Sequence, residues 1–76
     1  MNIGMLWLDD DKKRSLEEKV TRAVAYYKDK YGKTPNLCCV WPQALEEETK
    51  LGKIAIRPVN HIRPQHFWVG MQVKSS

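Results

Sequence analysis

Only one stretch of this chain has the spacing of a long helix, and that limits the fold more than any other feature. Leu16, Val20, Ala23, Val24, Tyr27 and Tyr31 recur at intervals of three and four, which at about 3.6 residues per turn gathers them into one apolar stripe. The other side carries Lys13, Arg14, Glu17, Glu18, Arg22 and Asp29. One face is therefore core and the other solvated. The spacing predicts a helix over 12–31, capped by Asp9, Asp10 or Asp11, with Gly32 just past its end and Pro35 a few residues on. Arg14 with Glu18, and Glu18 with Arg22, stand four apart and are expected to pair.

Around this helix lie short strand patterns. Ile3 to Leu8 is apolar apart from Gly4, the pattern of a strand buried on both faces and hence central in its sheet. Leu37 to Trp41 reads the same way. Lys53 to Arg57 alternates, with Ile54 and Ile56 facing one side. His66 to Lys74 alternates too, setting Phe67, Val69, Met71 and Val73 against His66, Trp68, Gly70, Gln72 and Lys74. Pro42 suits the first residue of a short second helix running to about Lys50 and stopped by Gly52. A loop with Asn60, His61 and Arg63 lies between Pro58 and Pro64.

The predicted order is β-α-β-α-β-β in a single small domain over 1–76, of α/β (α+β) class. It is a mixed sheet of about four strands with the main helix on one face. Two helices cannot cover both faces of that sheet, so part of it must meet a partner or stay wet.

Hydrophobic residues make up 42% of the chain and charged residues 29%, a balance that excludes disorder. No apolar run approaches the roughly 18 residues of a membrane span, and 1–8 lacks the features of a signal peptide. The expected setting is cytoplasmic. Cys38 and Cys39 are adjacent, so on a strand they point to opposite faces. They are expected to be reduced thiols packed as small apolar groups.

Chemistry-bearing motifs are few. Asp9, Asp10 and Asp11 follow the first strand, and an Asp-x-Asp there resembles the opening motif of haloacid-dehalogenase-type phosphatases. A lysine follows where that family has threonine or valine, and the chain is too short for the remaining motifs. Helix capping accounts for the aspartates, and a carboxylate-dependent metal enzyme at Asp9 and Asp11 is the third-ranked function. Glu46, Glu47 and Glu48 fan around their helix as a solvated run. Neither His61 nor His66 has a metal-ligand neighbour at a suitable spacing, and no motif implies a cofactor, a metal or a nucleophile.

Two features point to partners. Net charge is +4, and all nine acidic residues lie at or before Glu48. Lys53, Arg57, His61, Arg63, His66, Trp68 and Lys74 are therefore the candidate anion-binding set, with Trp68 as a stacking platform for single-stranded nucleic acid. The second feature is aromatic: Trp7, Trp41 and Trp68 lie on three predicted strands and are the candidates for covering bare sheet in a homodimer. The segments WLDDDKK, AYYKDKYGKTPN, VWP and HFWVG resemble those of small bacterial α/β proteins of unassigned function, a resemblance that implies no activity and no site. The expectation is a non-catalytic binding or assembly protein that self-associates, with nucleic-acid or other anion binding second.

Overall fold

The computed structural model describes residues 4–71, in the order β1 (Gly4–Leu8), α1 (Leu16–Tyr31), β2 (Leu37–Val40), β3 (Thr49–Leu51), β4 (Ile54–Pro58) and β5 (His66–Gly70). The strands form one mixed sheet of α+β class in the order β1-β5-β2-β4-β3. It has five strands where the sequence predicts about four.

Strand β5 runs antiparallel to both β1 and β2, while β2 and β4 are parallel and β3 is antiparallel to β4. β1 and β2 therefore point the same way, as a β-α-β unit requires, but β5 is inserted between them. The seven residues of loop 59–65 separate β4 from β5, enough chain to carry β5 past β2. β1 is consequently an edge strand and not the central one expected. An apolar run with no polar residue in it cannot distinguish burial in the middle of a sheet from an apolar edge.

The helix is shorter than its periodicity suggests, and its cap is Ser15 rather than an aspartate. Ser15 Oγ accepts from the Glu18 N–H at 3.2 Å, and the Glu18 carboxylate accepts from the Ser15 N–H at 3.4 Å, forming a capping box. Upstream, Asp9 Oδ1 accepts from the Asp11 N–H and Asp11 Oδ1 from the Lys13 N–H. Aspartate side chains that bind nearby backbone in this way compete with helix. Arg14 pairs with Asp9 and Asp11 at 3.2 and 3.1 Å, not with Glu18. At the other end Gly32 takes φ 70 and donates its N–H to the Lys28 carbonyl at 2.8 Å.

The expected second helix is absent from the described residues. Residues 42–44 form a turn, closed by the Ala44 N–H on the Trp41 carbonyl at 2.9 Å, and Thr49–Leu51 is β3. Gly52, expected to stop a helix, is instead the first of two turn residues joining β3 to β4, at φ 62. Positive φ at that position alone is the type II′ arrangement, which suits the twist of an antiparallel pair.

Helix α1 packs across β5 and β1. Val20, Ala23, Val24 and Tyr27 meet Met5, Cys38, Val40, Ile54, Ile56, Phe67 and Val69 in one cluster, with Trp7, Leu16, Leu45 and Leu51 at its rim. Among the described residues no helix lies on the other face of the sheet.

Candidate functional site: the open sheet face and the β1 edge

Because side chains alternate along a strand, the register places the open face directly. Leu6 of β1, Trp68 of β5, Cys39 of β2 and Arg57 of β4 form one cross-strand row. Gly4, Gly70, Leu37, Ala55 and Lys50 form the next, and Leu8 pairs with His66. Polarity changes along the rows, from apolar at β1 to basic at β4 and β3.

Gly4 has no side chain, and its place on this face is filled by the Trp68 indole, into which a Cβ at Gly4 would collide. An aromatic ring laid across an edge glycine restores the packing the glycine lacks. Leu37 and Ile62 are buried outside the main cluster. Ile62, in the loop before β5, lines a cavity of about 210 Å³ with Leu6, His61, Arg63 and His66. The loop thus covers part of the open face. Leu6 and Leu8 remain 63% and 57% exposed.

The candidate anion-binding residues are only partly brought together. His61, Arg63 and His66 share that cavity, and His66 Nδ1 lies 2.8 Å from the Pro64 carbonyl. Arg57 lies on the same face but two strands from Trp68, because β4 and β5 do not pair. Its guanidinium is engaged by Glu48 at 2.7 Å, an acidic partner at the end of the run read as merely solvated, and that carboxylate holds its pKa above the ordinary value. Lys53 is in the β3–β4 turn, at the far edge. Lys74 lies outside the described residues, as do Gln72 and Val73.

The three tryptophans do not form one surface. Trp68 alone is on the open face. Trp7 is on the helix side, packed at a tilt against Tyr26 with ring centroids 4.7 Å apart, and its indole N–H is buried without a partner among the described residues. Trp41 follows β2 and lines a cavity of about 240 Å³ with Leu16, Lys19, Ala44, Gln65, His66 and Phe67. Gln65 there adopts φ 63 and accepts the Asp9 N–H at 3.0 Å.

Sequence reasoning missed Leu6, Leu8 and Tyr26. Tyr26 is 52% exposed beside Trp7, so both flanks of the β1 edge are apolar. A signal was present in Gly4, since a glycine in a strand often marks close approach of another group.

Cys38 and Cys39 are free and point to opposite faces, Cys38 buried and Cys39 half-buried. Burial pushes the Cys38 thiol up to about 12, so it stays protonated. Burial also raises Cys39, partly opposed by the nearby Arg57 charge. Among the described residues no three of His, Cys, Asp and Glu are placed to hold a metal ion, and Arg14 bridges Asp9 and Asp11. No helix among them is long and apolar enough to cross a membrane. Comparison of the chain with protein-family models, with curated proteins and with solved structures returns no match.

Proposed function

We propose that the protein is a small binding and assembly module that self-associates through the β1 side of its open sheet face. The observation that carries this is the pair Leu6 and Leu8, more than half exposed side by side next to Trp68. One exposed leucine is ordinary on a soluble domain. Two in register on an edge strand, continuous with an indole, make a patch of the kind that marks an interaction site. The reduced, buried Cys38 fits a reducing setting such as the cytoplasm.

Sedimentation equilibrium from micromolar to near-millimolar concentration tests the proposal. A mass rising from 8.9 kDa toward twice that value, with a melting temperature that climbs with concentration, is the expected result. A monomer throughout the range overturns it.

Anion or nucleic-acid binding has one observation in its favour, the gathering of His61, Arg63 and His66 beside Leu6. It predicts binding of mixed-sequence oligonucleotides that weakens steeply with salt. An apolar dimer seam is nearly insensitive to salt, so the two readings separate in one titration.

A further inference from the structure

We infer that two copies of this chain join edge to edge through β1, antiparallel about a two-fold axis at Leu6, so that the two sheets become one continuous sheet. The inference rests on the self-association proposed above and specifies its geometry and register.

The backbone of β1 is set up for such pairing. The Asp9 N–H donates to the Gln65 carbonyl at 3.0 Å, one step beyond the Leu8–His66 pair. In an antiparallel ladder hydrogen-bonded and non-bonded pairs alternate, so Trp7 and Met5 also bond toward β5. The N–H and C=O groups of Gly4, Leu6 and Leu8 then point away from β5, to an edge on which no strand lies among the described residues. An edge strand with unspent backbone groups is a template for another strand unless it is guarded. β1 carries no charge and no proline.

The side chains are self-complementary, which a two-fold contact requires. Centring on Leu6 pairs the two Leu6 side chains and sets each Leu8 opposite the other copy's Gly4. That is where the Trp68 indole fills the missing side chain, so Leu8 gains an aromatic surface to pack on. On the helix side Met5 faces the other copy's Trp7, a favourable sulfur–aromatic pairing, with Tyr26 packed alongside.

Charge favours this seam over stacking the two open faces. Each chain carries +4, and face-to-face packing would enclose Arg57, Arg63, His66 and Lys50. Edge pairing leaves Arg57 and Lys50 on β4 and β3, three and four strands from the seam, so that of these four only Arg63 and His66, which share a cavity with Leu6, lie near it. At about 4.8 Å per strand the separation of Arg57 and Lys50 is roughly 14–19 Å, beyond the screening length at physiological salt. Five residues make a seam about 17 Å long, narrower than a standard interface, which sets the expected dissociation constant near micromolar or weaker.

Hydrogen exchange across a concentration series, run beside sedimentation, reads the geometry residue by residue. The amides of Leu6 and Leu8 should slow markedly as dimer forms, and by more than those of Met5 and Trp7, which are already bonded to β5 and gain only the added stability of the fold. Leu6→Lys and Leu6→Glu should each weaken the dimer roughly a hundredfold by removing both central leucines and opposing like charges. Mixing the two variants should restore association, because lysine then faces glutamate across the axis. Circular dichroism checks that each is folded, and Leu8→Lys, which should weaken the dimer with at most partial rescue by Leu6→Glu, stands in for a variant that fails to fold. A dimer without concentration-dependent protection at Leu6 and Leu8, or without recovery on mixing, overturns the β1 seam while leaving self-association standing. A monomer at every concentration overturns both.

Discussion

The two edges of the sheet solve the same problem in opposite ways. β3 is three residues long and presents Lys50, flanked by the Gly52–Lys53 turn and the Glu48–Arg57 ion pair. β1 is five residues long and uncharged, with exposed leucines on one flank and Trp7 with Tyr26 on the other. Short, charged edges resist strand addition and long apolar ones invite it. On that difference the proposed self-association runs through β1 and not through β3.

The largest expected effect tests β2, the central strand from which both edges are built out. Burial raises the Cys38 thiol from 9.0 to about 12. The folded state therefore holds its proton where the unfolded chain has released it. That stability is complete below pH 9 and is lost as pH rises through 9 toward 12. Chemical denaturation at a series of alkaline pH values should show the fall, and Cys38→Val should flatten it. An unchanged slope in the valine variant would remove Cys38 as its cause.

Next comes the bare edge itself. Gly4→Val should cost about 1–3 kcal/mol by driving a side chain into the Trp68 indole, measured by urea unfolding. In a Trp68→Ala background the same change should cost distinctly less, since the collision is gone. Additive costs would mean that the indole does not cover Gly4 in solution.

At the guarded edge the corresponding change is milder. Gly52→Ala places a Cβ at φ 62 with nothing within contact distance, so the cost is backbone strain alone, about 1 kcal/mol. Its readout is thermal unfolding, and no change in the dimer constant is expected. The smallest effect belongs to the β4 ion pair. Glu48→Gln breaks an exposed contact to Arg57 that contributes at most about 1 kcal/mol, and salt should shrink the difference further. A larger loss would show that the 45–48 segment depends on this contact.

How far the sequence could be read varies with how local each feature is. The α1 stripe from Leu16 to Tyr27, the Gly32 end and the alternation of β4 and β5 follow from spacings within one element and are present, while Tyr31, the last residue of the expected stripe, is exposed. Ser15 was hidden behind three aspartates that are equally good caps by type. Only the turn they make with Arg14 shows which residue starts the helix. Glu46, Glu47 and Glu48 with little apolar support made a weak helix. The pairing of Thr49, Lys50 and Leu51 with Ile56, Ala55 and Ile54 gave that segment a better place for its backbone groups.

What the sequence determined by itself is the class, the one long helix, four of the five strand segments and the shortage of helix for a two-faced sheet. Those depend on period, propensity and composition, which are properties of neighbouring residues. Strand order was decided only in three dimensions. By inserting β5 between β1 and β2, loop 59–65 made an edge of the strand that looks most central in sequence. It also set Trp68 over Gly4 and separated Trp7, Trp41 and Trp68. The period-two pattern records which side chains share a face but not which strand lies beside which. Lateral neighbours are chosen by how connections cross and by which apolar surfaces fit together, and no local spacing carries that information.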